Sequence, residues 1–442
     1  MTTIPQLSHA MQTLLTTTTE AVAADLHFVQ RPDRAKFSPQ TLVQTLVYGW
    51  LANPTASLEQ LAQMAARLGI DVSPQAIHRR FTMATATLLH HVLTASLSHV
   101  IAADPVAIPI LQRFASVRIH DSTTISLPDA LASQYRGCGN HGLVGTAGMK
   151  CGVQIDVLTG ALCGVDIVDG RACDHALPVQ HAAMPSGSLR LADLGFYNLS
   201  VLKTLAENGV FWLSRIQTNS RIRLPGQRET SILEVVTALG TADQWEGTVL
   251  VGRHGRLTAR LLIQRLPPQV AAQRRQRVED EAHGKRRPVS KDAVALSAWA
   301  MVITNVSRDQ LSLSEALVLL KIRWQIELLF KMWKSHGRVD EWRTTKPARI
   351  LCEIYAKLIG FVVHQWFAVV GTWSNPTRSM MKAATIVMTY AAELATAHHC
   401  PTTFLRIVTT VVQMLRRWAR TNTRKTVPTT AQRLLALTID TG

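Results

Sequence analysis

No two of the six cysteines (Cys138, Cys151, Cys163, Cys173, Cys352, Cys400) form a Cys-x-x-Cys pair. Cys138 and His141 make a lone Cys-x-x-His, and Cys173 lies close to His175, but no second pair completes a zinc site. The pattern suits neither zinc nor a disulfide framework, so reduced core or loop thiols of a cytoplasmic protein are expected. Carboxylates are scarce too: 30 Asp and Glu face 47 Lys and Arg, a net charge of +17 with a pI near 10.1. That surplus predicts a polyanionic partner, nucleic acid before membrane. Long uncharged apolar runs are missing. The greasiest stretch, near 350–373, carries Glu353, Lys357 and His364, so a buried helix is expected there rather than a membrane span. No N-terminal segment pairs a charged start with an apolar core, and no signal peptide is expected. What is present is a 442-residue chain, 47% hydrophobic, able to bury sizeable cores in two or more domains.

Two aspartates sit where apolar residues belong. Residues 116–127, Ser-Val-Arg-Ile-His-Asp121-Ser-Thr-Thr-Ile-Ser-Leu, alternate as a half-buried strand with Val117, Ile119, Ile125 and Leu127 on one face. Asp121 shares their parity. In Leu189-Arg-Leu191-Ala-Asp193-Leu-Gly195-Phe-Tyr, the apolar parity of Leu189 and Leu191 likewise runs into Asp193 as the strand ends. Either aspartate alone fits a strand-end turn. A buried carboxylate costs several kcal/mol unless cations or hydrogen bonds compensate it, so a site drawing two together favours a divalent metal. Asp156, Asp166, Asp169 and Asp174 are rival carboxylates, expected to be solvated at turns and edges.

A third carboxylate lies in Lys321-Ile-Arg323-Trp-Gln-Ile-Glu327-Leu-Leu-Phe-Lys331-Met-Trp-Lys334. With no Gly or Pro from about 313 to 335, one helix is predicted, with Trp324 in its core. Arg323, Glu327 and Lys334 then fall within roughly 40° on the wheel. Alone, this is an ion-pair stripe on a solvated face. Beside two strand carboxylates it becomes a candidate site.

These blocks resemble the DDE transposases of bacterial insertion sequences, specifically the group with a Tyr-x2-Arg-x3-Glu-x6-Lys signature. Arg323, Glu327 and Lys334 match its spacing; position 320 is Leu where the signature has Tyr. The segments Phe211-Trp-Leu-Ser-Arg215, Arg265-Leu-Pro-Pro and Trp299-Ala-Met-Val-Ile-Thr-Asn extend the resemblance, which spans about 117–334. It implies an α/β architecture: a ribonuclease-H-like catalytic domain interrupted by a mostly β insertion, with helical N- and C-terminal regions. It implies that Asp121, Asp193 and Glu327 hold two Mg²⁺ ions, with Mn²⁺ able to substitute. Arg323 and Lys334 would then neutralise phosphates. The implied partners are double-stranded DNA, as element ends and target, and a second copy of the chain in a synaptic homodimer, with no membrane. The implied reaction is cut-and-paste transposition through hairpin ends, in a cytoplasmic, nucleoid-associated protein. By the same resemblance Trp299 would receive an unstacked base, with a buried strand tryptophan as the alternative. A transposase-derived DNA-binding regulator and a Mg-dependent nuclease without strand transfer are the alternative functions.

Residues 1–112 read as a helical DNA-binding region. Within it, 57–82 carry a Ser57/Gln60 capping box, a Gly69 stop and a Ser73-Pro74 start, followed by His78, Arg79 and Arg80. This is either a helix-turn-helix or a helical hairpin packed on the catalytic domain. The catalytic domain is expected over 113–216 and 296–372. Between them lies the β-rich insertion 217–295, with a hairpin turning at His254-Gly255 and a charged run containing Arg274, Arg275, Arg286 and Arg287. That run is either a solvated face or a DNA-backbone contact. Residues 373–442 read as helical.

Overall fold

The computed structural model describes residues 3–28, 36–99, 101, 104–138, 147–253, 256–284, 286–422 and 428–437. Among the described residues the strands are β1 Val117–Leu127, β2 Ala147–Asp156, β3 Leu162–Asp169, β4 Leu189–Ala192, β5 Phe211–Arg215, β6 Arg221–Arg223, β7 Glu229–Ser231, β8 Gln244–Val251, β9 Leu257–Arg265 and β10 Trp299–Thr304. The fold is α/β, with a large mixed sheet and helical termini. Two compact units share the chain in interleaved segments. One comprises Met1–Ile108, Ser122–Ala172 and Gln325–Ala431; the other comprises Pro109–Asp121, Cys173–Trp324 and Gln432–Gly442.

The first unit is built around the helix Pro347–Gly371. Every residue from Arg349 to Gly371 is buried, although the helix is long and apolar enough to cross a membrane. Helices from both chain ends enclose it: Thr3–Thr13, Pro39–Ala52 and Met83–Ser96 from the first hundred residues, Met380–Ala397 and Pro401–Trp418 from the last. A helix apolar all round needs such a jacket on every side. Two of its charged residues are paired: the Lys357 ammonium meets Glu353 at 2.8 Å and donates to the carbonyls of Arg338 and Glu341. The second half of β1 with β2 and β3 completes this unit, in the order β3-β2-β1. The β2–β3 hairpin turns at Gly160, whose φ of +83° is a left-handed conformation that glycine adopts without a Cβ penalty. Asp156, expected to be solvated, is buried. Its carboxylate accepts from the Leu158 amide and the Thr159 hydroxyl, so the turn itself satisfies it.

The helix pair after Ser57 forms as its caps dictate. Ser57 and Gln60 make the reciprocal capping box of the helix Leu58–Arg67, and Gly69 follows at φ +81°. The second helix, Pro74–His78, has only five residues, and His78 Nε2 lies 2.9 Å from Lys346 Nζ.

The second unit carries the strand order β1-β4-β5-β10-β9-β8-β6-β7. β1, β4 and β5 run parallel, and every pairing from β5 outward is antiparallel. Between β4 and β5 lies the helix Leu199–Glu207, capped by the Asn198 side chain. Its core gathers Trp212, Ile222, Ile232, Val249, Leu261, Trp299 and Ile303, among others. The hairpin expected after residue 247 is β8–β9, and through β9 it extends the sheet from β10. Its tip, His254-Gly255, lies outside the described residues. The charged run beyond it differs from a β-rich reading. Pro268–Gly284 is a 17-residue helix with only Ala271 buried, because Ala, Gln, Arg and Glu favour helix and nothing interrupts them.

One helix expected over 313–335 is instead three pieces: α-helix Leu313–Leu319, 3₁₀ turn Leu320–Arg323, and α-helix Trp324–Ser335. Local propensity offers no reason for the break. The tightened turn is the one that delivers Arg323 to two carboxylates, and such tertiary demands override propensity.

Candidate active site

Parallel pairing brings the two aspartates together. β1 and β4 are in register from Val117↔Leu189 to His120↔Ala192, and the next residue on each strand is Asp121 and Asp193. Two carboxylates thus stand side by side where the β1–β4 pairing ends, Asp121 in the middle of β1 and Asp193 just past β4, about 4.8 Å apart in backbone spacing. Open α/β sheets bind their ligands at the carboxyl ends of strands, the position that Asp193 takes after β4. β4 stops at Ala192; Asp193 is extended, with ψ 166°, and the 3₁₀ turn Leu194–Phe196 follows at once.

Arg323 joins them. Its Nη1 donates to Asp121 Oδ2 at 2.7 Å, and its Nε lies 3.6 Å from Asp193 Oδ1. Side-chain exposure is 18% for Arg323 and 17% for Asp121 against 41% for Asp193, so the Asp121 contact is the less screened. A guanidinium held between two carboxylates is a cation in a cation site.

The opposite face of the same strands is buried. His120 is buried, and burial, then the nearby Arg190 and Arg118 charges, hold its imidazole pKa well below the ordinary range. Arg190 is buried as well; desolvation lowers its pKa to about 10, and its Nη2 donates to Gln180 Oε1 at 2.8 Å. Nothing in the alternation of residues 189–192 announced a buried arginine.

In the first unit, Glu327 lies on the first turn of the helix Trp324–Ser335 and is half-buried. On the last turn Lys334 Nζ donates to the carbonyl of Thr124, three residues beyond Asp121 on β1, at 3.1 Å. Stacking of Trp333 on Phe361, with centroids 5.4 Å apart, fixes that end of the helix.

All three expected ligands are oxygen donors, the set a hard divalent cation takes. The Asp121–Asp193 pair fits one, since it already accommodates the Arg323 charge. Among the described residues, no three His, Cys, Asp or Glu side chains stand together as a ready metal-ligating group.

The other sequence candidates fall into two sets. Arg79, Arg275, Arg286 and Arg287 are exposed. Arg80 is half-buried and lines, with Arg79, His27 and Thr82, a cavity of about 390 Å³. Arg274 is turned inward instead: its Nη1 donates to the Trp299 carbonyl, and burial lowers its pKa. Trp299 is a buried strand tryptophan, 6% exposed, with the Arg265 guanidinium 4.3 Å from its ring centroid. Trp324, expected in the core, is 54% exposed. The 3₁₀ turn before it winds three residues per turn, so a uniform 3.6-residue wheel misplaces the residues beyond that turn. Asp174, expected to be solvated, packs on the turn after Asp193. A Cβ on Gly195 would come within 2.6 Å of its Oδ2.

Residues 112–362 match the family model described as the transposase DDE domain. The chain is similar to the transposase for insertion sequence element IS231F of Bacillus thuringiensis subsp. israelensis, 25% identical over 77% of this chain and 75% of that one. It is also similar to the transposase for IS1151 of Clostridium perfringens, 24% identical over 77% and 76%. Among solved structures, the piggyBac transposase synaptic complex with hairpin DNA aligns over 96% of this chain and 86% of that one. There the identity is 11% and the TM-score 0.46, too low to establish a shared fold. Half the chain and more lies within the matched model, and the protein belongs to the family of DDE-domain transposases.

Proposed function

We propose that this protein is the cut-and-paste transposase of a bacterial insertion sequence. On this reading it binds terminal inverted repeats, hydrolyses the phosphodiester at each element end and transfers the freed 3′ ends to target DNA. The observation that carries the reading is the Arg323 guanidinium held between Asp121 and Asp193 where the parallel pairing of β1 and β4 ends. The family uses divalent metals, and Asp121, Asp193 and Glu327 are the proposed ligands, for two Mg²⁺ ions or Mn²⁺ in their place. When bound, such ions activate the attacking oxygen and stabilise the leaving one.

The chain's own residues do the rest. Asp121 and Asp193 supply fixed negative charge where the β1–β4 pairing ends. Arg323, released from them, turns its planar fork to the phosphate beside the scissile bond, while Lys334 acts as a point charge further along the same helix. The exposed Arg79, Arg275, Arg286 and Arg287 hold the DNA backbone away from the chemistry. A ribonuclease-H-like core, a hairpin route at the ends and a synaptic homodimer belong to the same proposal, on the strength of the Arg-Glu-Lys spacing.

The test is direct. Purified protein, candidate end DNA and Mg²⁺, resolved on a denaturing gel, should give a nick at the element end, then hairpin and joined products. EDTA should abolish all of them. Binding without any nick, in Mg²⁺ and in Mn²⁺, would overturn the reading in favour of a DNA-binding regulator.

A further inference from the structure

From residue 354 to residue 439 the chain holds ten lysines and arginines against a single carboxylate, Glu393. This stretch carries over half of the net charge of +17. The helix Pro401–Trp418 shows where part of it goes. Phe404, Val408, Val411, Val412 and Leu415 bury one face, and Arg416 and Arg417 are exposed in its last turn. Trp418 is 57% exposed, and the Arg417 guanidinium lies 5.0 Å from its ring centroid.

The end of this helix is pinned rather than frayed. Ser379 N donates to Ala419 O at 2.8 Å, Thr421 N to Thr377 O at 2.7 Å, and Lys382 Nζ to Arg420 O at 2.8 Å. Arg416 donates to the Val370 carbonyl at 3.4 Å, and no carboxylate pairs with Arg416, Arg417 or Arg420 among the described residues. Cations in a last turn suit the helix dipole. That does not account for Arg420, which lies past the helix, or for a tryptophan left in water. Uncompensated cations held close together repel one another unless an anion bridges them.

We propose that Arg416, Arg417 and Arg420, with Trp418 orienting the middle one, form a contact surface for the phosphate backbone of duplex DNA. The contact is sequence-independent. Guanidinium groups at a helix end reach phosphates, whereas base readout needs a helix or ribbon in the groove. This rests on the reading of the protein as DNA-acting, but not on its cleavage chemistry.

The experiment measures affinity for an element-end duplex and for an unrelated duplex of equal length, from about 50 to 200 mM salt. Wild type is compared with the R416Q/R417Q/R420Q and R416K/R417K/R420K triple variants. Each lost phosphate contact removes about 0.9 from the slope of log K against log salt, so the Gln triple should lose roughly 2–3 on both duplexes. The Lys triple should keep the wild-type slope. An unchanged slope in the Gln triple, a loss confined to one duplex, or binding by this surface only to anionic lipid vesicles would overturn the proposal. If the Gln triple melts at a lower temperature than wild type, R420Q alone, past the helix, should still lose about 0.9. Wild type that binds but never nicks would fail the proposed function and leave this slope unaffected, so the two failures are distinguishable.

Discussion

Arg323 and Asp121, 202 positions apart in sequence, are joined by a 2.7 Å charge-assisted hydrogen bond. The same guanidinium faces Asp193. One cation therefore faces both carboxylates, and its single positive charge offsets one of their two negative charges.

Arg323→Lys keeps the charge and loses the planar fork proposed to grip the phosphate beside the scissile bond. A hydrogen bond to a charged group contributes about 1.5–3 kcal/mol, so single-turnover cleavage should fall roughly 10- to 100-fold. End-DNA affinity should change far less. Cleavage at the wild-type rate would remove the fork from the mechanism.

The buried pair Glu353–Lys357 governs stability rather than chemistry. Burial raises the Glu353 pKa and lowers that of Lys357, and their contact opposes both shifts. Lys357→Met strands a buried carboxylate and also loses the bonds to Arg338 O and Glu341 O. Unfolding free energy should drop by about 3–5 kcal/mol, read by chemical denaturation. Adding Glu353→Gln should recover part of that loss; no recovery would mean that the lost carbonyl contacts dominate.

Thiol chemistry separates the cysteines, all six of which are free. Hydrogen bonding with Thr403, then Thr402, lowers the pKa of exposed Cys400 to about 7, whereas burial pushes Cys151 up to about 12 and Cys352 higher still. Iodoacetamide labelling followed by mass spectrometry should modify Cys400 with a midpoint near pH 7. Cys151 and Cys352 should stay unlabelled until the protein unfolds. Early labelling of Cys151 would contradict the packing around β2.

Alternation in residues 117–127 and 189–193 carried the two aspartates plainly, because a carboxylate on an apolar parity has few explanations. Caps were legible for the same local reason: Ser57, Gly69 and Ser73 all act where they stand. Long-range demands were not. Nothing near Leu320 signals a 3₁₀ turn, since its origin lies on β1 and β4, and the exposure of Trp324 results from that turn. Arg190 stayed invisible because its partner, Gln180, comes from an irregular segment with no periodicity to read. Nor does any local pattern show that helices from both chain ends jacket the helix Pro347–Gly371.

The three carboxylates carry the proposed chemistry. Asp121→Asn, Asp193→Asn and Glu327→Gln each remove one negative charge while keeping shape, so the direct measurement is cleavage and binding of end DNA by each variant in Mg²⁺ and in Mn²⁺. All three should lose cleavage completely while holding end-DNA affinity within a few-fold of wild type, because binding rests on cations elsewhere. Cleavage near the wild-type rate by any one of them would contradict its place in the site.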